Sequence, residues 1–89
     1  MRKVVYKYPI ALGGRESLGA HPGRVVAVGV QGENPCVWVE HDLDRAGSLE
    51  IEVRVTGMPF DSPGGGDHVG TFMLDSGTFV GHVYQITGN

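Results

Sequence analysis

Apolar residues recur at every second position in much of this chain, and this period of two constrains the fold more than any other feature. The clearest stretch is "SLEIEVRVTG", residues 48–57, in which aliphatic residues alternate with Glu50, Glu52 and Arg54. Successive side chains of a β-strand point to opposite faces. The pattern therefore predicts a strand whose aliphatic residues face a core and whose Glu50, Glu52 and Arg54 face water.

Two pairs of neighbouring runs predict β-hairpins. Residues 24–31 are expected to pair antiparallel with residues 35–41, because the turn formers of "GENP" separate them. Residues 68–74 are expected to pair with residues 78–86, and the link "DSG" offers a glycine where a positive φ is wanted.

In the first hairpin, "RVVAVGVQ" places Val26, Val28 and Val30 on one face, and the small residues Ala27 and Gly29 on the other face indicate that something packs closely there. Further strands are predicted around "KVVYKYPI" and, more weakly, "ESLGA". A helical stripe is absent from the sequence, and 15 glycines with 5 prolines disfavour helices. The prediction is one all-β domain over residues 1–89, a small antiparallel sandwich or barrel of six to seven strands.

Charge and cysteine content exclude several classes of protein. Seven Lys and Arg against ten Asp and Glu give a net charge of −3, and the cations are dispersed, so nucleic acid is not an expected partner. No apolar run approaches a membrane span of about 20 residues. The single cysteine, Cys36, excludes an intrachain disulfide and favours a reducing cytoplasm.

Known catalytic motifs do not match. The glycine run in "SPGGGDHVG" has an acid where a P-loop has lysine, and it leads into a predicted strand. There is no Gly-x-Ser-x-Gly pattern. Cys36 alternates with Trp38 at the start of a predicted strand, which is typical of a small, buried and unreactive hydrophobe. We therefore expect no catalytic residue, no cofactor and no enzymatic activity.

The histidines do not predict a metal site. They lie in four different segments without a recognised local ligand spacing: His21, His41, His68 and His82. Among them, His82 sits at mid-strand, where it is either a half-buried histidine with its hydrogen bonds satisfied or a polar anchor in a pocket.

The stretch "TGMPFDSPGGGDHVGTF", residues 56–72, contains a predicted long loop over residues 57–67. It is either a slack connection or a binding loop that orders on a partner. We expect an anchored apolar half containing Met58, Pro59 and Phe60, and a disordered glycine half over Gly64–Gly66.

Candidate binding residues are those that combine an apolar or aromatic body with a polar tip, or that belong to this loop. They are Trp38, Met58, Phe60, Asp67, His68, His82 and Tyr84.

Several short stretches resemble a family of small uncharacterised bacteriophage-associated all-β proteins. They are "VYKYPI", "VAVGVQGENPCVWVEHD", the Thr-Gly pair at 56 and 57, "VGTF" at 69–72 and "HVY" at 82–84. In that family a His often follows the Thr-Gly pair, whereas Met58 stands there in this chain. The resemblance implies a phage origin and assigns no chemistry.

The expected function is that of a non-enzymatic accessory protein that binds a host or phage protein and acts by occluding it. A host-defence inhibitor would act in this way. The alternative is an oligomeric sponge that sequesters a small anionic, nucleotide-like signal. Exposed strand edges also predict a homo-oligomer, most simply a dimer. The resemblance places the protein in the cytoplasm of the infected bacterial host.

Overall fold

The computed structural model describes residues 1–61 and 65–87; of Thr87 only the backbone is described. Strands form nearly all of the regular structure in these residues. The described residues contain seven strands and one 3₁₀ turn. In chain order the strands are β1 (Lys3–Pro9), β2 (Gly14–Leu18), β3 (Gly23–Gln31), β4 (Asn34–Asp42), β5 (Leu49–Val55), β6 (Asp67–Leu74) and β7 (Phe79–Thr87), with the 3₁₀ turn at Asp75–Gly77 before β7.

The strands form two antiparallel sheets that pack as a sandwich. One sheet has three strands in the order β1-β4-β3, and the other has four in the order β2-β5-β7-β6. This arrangement confirms the predicted all-β class and shows that the fold is a sandwich and not a barrel. Both predicted hairpins are confirmed, because β3 pairs with β4 and β6 pairs with β7.

The hairpin links differ in one detail from the prediction. Gln31 pairs with Asn34, so the first link is the two-residue turn Gly32–Glu33, and Pro35 already belongs to β4. Gly32 has φ +63°, as such a turn requires. In the second link Gly77 has the expected positive φ, +91°.

The core lies between the two sheets and is built from alternate strand residues. Leu49 and Ile51 of β5 are completely buried, as are Val37 and Val39 of β4 on the opposite sheet. This confirms the inward face predicted for "SLEIEVRV". Burying one such aliphatic side chain stabilises the fold by roughly 1.5–3 kcal/mol.

The alternation predicted for β3 is wrong at its centre. The pairing of β3 with β4 shifts between Val25 and Ala27, which is the signature of a β-bulge. The extra residue reverses the faces, so Val25 is buried while Val26 is 43% exposed. Beyond the bulge Val28 packs against the core, and Val30 remains 36% exposed.

Cys36 is buried, as predicted, with 3% of its surface exposed. It lies on the face of β4 opposite to the core residues Val37 and Val39. Pro9 and Gly29 are its cross-strand neighbours. The unreactive thiol stays a prediction.

Two glycines allow close packing within the sandwich. A Cβ atom on Gly81 of β7 would overlap the ring of Phe72, which is 2% exposed, so the absence of a side chain leaves the space that this ring fills. A Cβ on Gly70 of β6 would lie 2.7 Å from the Cβ of Val28 in β3. The second glycine therefore lets the edges of the two sheets approach each other.

We predict that Gly81→Ala lowers the free energy of unfolding by roughly 1–3 kcal/mol, because the new methyl group overpacks the Phe72 ring. Chemical denaturation followed by tryptophan fluorescence measures this. Gly13→Ala is the matched control, since its Cβ would meet only Val55 at an ordinary 3.8 Å. Equal stability of the two variants would show that the Phe72 ring is not fixed over Gly81.

Candidate functional site

Five of the seven predicted binding residues lie on or beside one surface. This surface, called here the outer face, is the side of the four-stranded sheet directed away from the core. His82 and Tyr84 belong to it, because they flank the buried core residue Val83 in β7. His68 of β6 belongs to it as the cross-strand partner of Tyr84. Met58 and Phe60 follow the end of β5 beside it and are 63% and 54% exposed.

The other two predicted residues lie elsewhere. Trp38 belongs to β4 of the three-stranded sheet, on the face opposite to the core, where Lys7 and Ala27 are its neighbours. Asp67 is exposed at the start of β6 and pairs with Gln85. Gln85 is the strand neighbour of Tyr84 in β7 and therefore lies on the opposite, core-facing side of the sheet. Neither residue contributes to the outer face, and a binding role for either one stays a prediction.

An ion-pair network on the outer face centres on the carboxylate of Glu52. One oxygen accepts a hydrogen bond from Arg15 Nε at 2.8 Å, and the other accepts one from Arg54 Nε at 2.6 Å. Arg15 also lies 3.5 Å from Glu50. Glu52 is 8% exposed, so the prediction of a wet face is wrong at this position. Its two partners, on β2 and on β5 itself, cover it.

The network changes the acidity of its members. The hydrogen bond from Arg15 lowers the pKa of Glu52 below its usual value; burial opposes this effect, and the bond from Arg54 adds to it. The same bond to Glu52 raises the pKa of Arg15. Both groups are therefore charged at neutral pH.

The guanidinium of Arg54 is held between two aromatic rings. Its Cζ atom lies 3.9 Å from the ring centroid of Tyr84 and 4.3 Å from that of Phe60. Its Nη2 donates to the carbonyl oxygen of Gly65 at 2.8 Å. Cation–π contacts of this kind stabilise by roughly 0.5–2 kcal/mol each.

These contacts anchor the segment between β5 and β6, residues 56–66, at Phe60 and at Gly65. The predicted apolar half is anchored at Phe60. The predicted disorder of Gly64–Gly66 is wrong for Gly65, which holds the bond to Arg54, and for Gly66, which packs against Gln85 and Ile86. The remaining part of that prediction, at Gly64, falls within residues 62–64, outside the described residues.

A chain of hydrogen bonds crosses the outer face beside Arg54. His82 contacts the Thr56 hydroxyl through Nε2 at 2.8 Å and the Thr71 hydroxyl through Nδ1 at 3.1 Å. The Thr71 hydroxyl also contacts His68 Nε2 at 3.0 Å. The His68 ring in turn meets the Tyr84 ring edge-on at 5.3 Å. His82 therefore has partners for both ring nitrogens.

The other two histidines belong to a separate, structural cluster. His41 is 1% exposed, and its Nδ1 donates to the His21 carbonyl oxygen at 3.0 Å. Its Nε2 is thus free to accept the bond from the Tyr8 hydroxyl at 2.8 Å. Burial, with a smaller effect from Tyr6, raises the pKa of Tyr8.

The four histidines form two separate pairs, His21 with His41 and His68 with His82, rather than one cluster that could bind a metal ion. In residues 1–61 and 65–87, no group of three or more His, Cys, Asp or Glu side chains is placed to hold a metal ion. Likewise, no helix in the described part of the chain has the length and apolar character needed to cross a membrane.

Sequence reasoning missed four residues of this surface: Arg15, Arg54, Thr56 and Thr71. The useful signal was the cross-strand register, in which Arg54 stands opposite His82 and His82 opposite Thr71. The Arg54–His82 pair depends on the sheet order, which local patterns do not contain, whereas the Thr71–His82 pair lies within the predicted hairpin of residues 68–74 and 78–86.

The arrangement is suited to binding. The side chains of Arg54, Tyr84 and Phe60 are already fixed by one another, and the exposed Met58 lies beside them. A threonine hydroxyl next to an imidazole also resembles a nucleophile with its base. Both His82 nitrogens contact threonine hydroxyls, whereas the Ser-His-Asp triad orients its imidazole through a carboxylate.

The fold and this surface define a small two-sheet antiparallel β-sandwich domain with one outer face organised by charged and aromatic side chains. The sequence matches the family described as Domain of unknown function (DUF7352) over residues 1–88, and the chain belongs to that family. The comparison with curated proteins found no match, and the comparison with solved structures found none either.

We predict that Glu52→Gln destabilises the protein by about 1–2 kcal/mol at pH 7, because two guanidinium groups lose their charged acceptor. The folded-state pKa of Glu52 is lowered, so its stabilising effect is fully present above the unfolded pKa of about 4.3 and is lost as the pH falls through the folded pKa. The difference between wild type and variant should therefore shrink below about pH 4.

Urea unfolding at pH 7, 5 and 3 measures this difference. Glu50→Gln is the matched control on the same strand and face; its contact with Arg15 is longer, 3.5 Å, and its side chain is 33% exposed. A Glu52→Gln effect that is equal at all three pH values, or no larger than that of the control, would contradict the prediction.

Proposed function

We propose that the protein is a non-enzymatic binding module that acts on another protein by occlusion, and that its contact surface is the outer face together with Met58 and Phe60. The observation that carries this proposal is the exposure of these two apolar side chains on a support that is already ordered. Phe60 is 54% exposed while stacked on Arg54, whose other face rests on Tyr84.

Physical considerations favour a protein as the partner. Arg, Tyr and other large aromatic side chains dominate the binding energy of protein interfaces. An anchored Phe60 loses less conformational freedom on binding than a free one, which supports affinity. Charge attraction contributes little here, because Arg15 and Arg54 are already paired with carboxylates.

We further propose, from the resemblance to phage-associated proteins, that the target is a host or phage protein in the cytoplasm of an infected bacterium. A host-defence component is a target of this kind. We also propose that two copies pair through the Met58 and Phe60 patch when the partner is absent, because a lone small domain gains stability by covering it.

We predict that Met58→Ser combined with Phe60→Ser weakens partner binding at least tenfold, or about 1.4 kcal/mol, and shifts the protein from dimer to monomer. A pull-down from host lysate with mass spectrometry supplies the partner, and titration calorimetry then compares the affinities. Light scattering at tens of micromolar measures the mass, relative to the monomer mass of 9.5 kDa.

Val26→Ser is the matched control, because Val26 is a similarly exposed apolar residue, 43% accessible, on the other sheet. It should leave both binding and mass unchanged. If the double variant retained the wild-type affinity and the wild-type mass, the 56–66 segment would be only a connection between strands.

A second candidate function is sequestration of a small anionic, nucleotide-like ligand between subunits. It is favoured by a groove of about 350 Å³ whose lining includes Lys3, Arg24 and Arg45. Glu40 partly neutralises the first two cations, at 3.4 and 3.6 Å. Arg45 is exposed, and the described residues provide no ion-pair partner for its guanidinium.

For this second function, calorimetry with ATP and with a cyclic dinucleotide should show binding that weakens as salt concentration rises. Arg24→Ala combined with Arg45→Ala should reduce the affinity at least tenfold. Lys7→Ala, which removes a cation outside the groove, should leave it unchanged. Absence of binding at millimolar nucleotide would exclude this function.

A further inference from the structure

The turns of the two hairpins meet at one end of the sandwich. Gly70 of β6 lies against Val28 of β3, since a Cβ atom on this glycine would be 2.7 Å from the Val28 Cβ, and the edges of β3 and β6 therefore run close together. Each strand then ends in the turn of its hairpin, at Gly32–Glu33 after β3 and at Asp75–Gly77 after β6. Residues of both turns line a common groove, called here the end groove.

The end groove combines apolar side chains with two carboxylates. Its volume is about 360 Å³, which is within the range of ligand-binding clefts. Leu74 packs against the core below it, whereas Met73 is 61% exposed and Val30 is 36% exposed. Glu33 and Asp75 are the charged residues of the lining. The groove therefore offers a partner both an apolar contact and negative charge.

Neither of these two acids is neutralised by a neighbouring cation. Within residues 1–61 and 65–87, Glu33 and Asp75 have no ion-pair partner, whereas Glu40 and Glu52 each contact two cations. The turn at Asp75 is held through its main-chain carbonyl oxygen, which accepts bonds from the Thr78 N–H at 3.1 Å and the Thr78 hydroxyl at 2.8 Å. Both exposed carboxylates are thus available to a cation from outside.

We propose that the end groove binds an extended segment of a partner protein in which a Lys or Arg stands beside a large apolar residue. The apolar side chain covers Met73 and Val30, and the cation pairs with the carboxylates of Glu33 and Asp75. Exposed ion pairs are weak on their own, so the apolar contact supplies most of the affinity and the charges select a basic segment. This inference rests on the proposed function only in taking a protein as the partner.

The end groove is continuous with the outer face. Met73 alternates with the buried Phe72 and therefore points outward, as does Thr71, which contacts His82 on that face. Val80 of β7 is the cross-strand partner of Met73, and its carbonyl oxygen accepts the bond from Thr56 N at the start of the 56–66 segment. One partner can therefore contact the outer face and place a basic segment in the groove.

The chain itself contains a segment of similar chemistry, but its cations are already engaged. Val5 of β1 is 52% exposed and lies between Lys3 and Lys7 on the same face of the strand. Lys3 contacts Glu40 at 3.4 Å, and Lys7 donates a hydrogen bond to the Gln31 amide oxygen at 2.7 Å. A second copy would have to break these contacts, so a different protein is the better occupant.

Glu33→Gln combined with Asp75→Asn tests the charges while preserving side-chain shape. Asp75 has φ +51°, a left-handed conformation in which asparagine is also enriched, so the turn should persist. The matched control is Asp44→Asn combined with Asp61→Asn, which removes the same charge from exposed positions outside the groove. Met73→Ser tests the apolar contact. Circular dichroism and thermal melting confirm that all variants are folded.

The probe is a display library of random twelve-residue peptides, selected on the wild-type protein. An excess of the soluble Glu33→Gln, Asp75→Asn variant serves as competitor and removes peptides that bind elsewhere. The selected peptides should share a Lys or Arg next to a large apolar residue. Their affinity should fall about tenfold or more for the competitor variant and about fivefold or more for Met73→Ser, and it should stay unchanged for the control.

NMR locates the peptide on the wild-type protein, where the amide signals of Glu33, Met73 and Asp75 should shift on binding. A library without peptides that prefer the wild type, selected peptides without Lys or Arg, affinity that Met73→Ser leaves unchanged, or shifts confined to other residues would each overturn the inference. A wild-type dimer that Glu33→Gln with Asp75→Asn converts to a monomer would overturn it too, because a second copy would then fill the groove.

The amide measurement uses wild-type protein, so it decides even if a variant unfolds. It also separates this inference from the proposed function. A partner whose binding depends on Met58 and Phe60 but not on Glu33 and Asp75 would overturn the end groove as a contact and leave the proposed function standing.

Discussion

The organisation of the outer face depends on one carboxylate, that of Glu52. A largely buried carboxylate is costly unless its oxygens are hydrogen-bonded, and here Arg15 binds one oxygen and Arg54 the other. Because the second bond fixes the direction of Arg54, its guanidinium plane is presented to Tyr84 and Phe60. A single acid thus connects the short edge strand β2, the central strand β5 and the segment that displays the apolar patch.

The alternation of apolar residues was sufficient to predict the all-β class and both hairpins, because strand formation and neighbouring pairing are local. It failed at Val26, where the bulge inserts one residue and reverses the faces; no neighbouring side chain signals that insertion. It also failed at Glu52. The position on the outer side of the strand was right, but the residues that cover it come from β2 and from the same face of β5, and this contact requires the order β2-β5-β7-β6.

The same difference between local patterns and contacts across strands applies to the residues of the outer face. His82 and Tyr84 were predicted because polar aromatic residues at alternate positions of one strand share a face, which is again local information. Thr71 was not predicted, because it matters through its cross-strand neighbour His82. Arg54 was not predicted, because its role depends on Phe60 and on Tyr84 of the neighbouring strand. Trp38 was grouped with them on residue type alone, and the chain sends β4 to the other sheet.

The two anchors on Arg54 also determine how the 56–66 segment can take part in binding. Phe60 and Gly65 contact the same guanidinium, so the stretch left between them is much shorter than the whole connection. Since the entropy cost of closing a loop rises with its length, part of that cost is already met within the folded protein. Phe60 uses one side against Arg54 and keeps 54% of its surface exposed. A partner that contacts this exposed part leaves the bonds of Glu52 and Arg54 intact, so binding there does not require the buried network to break.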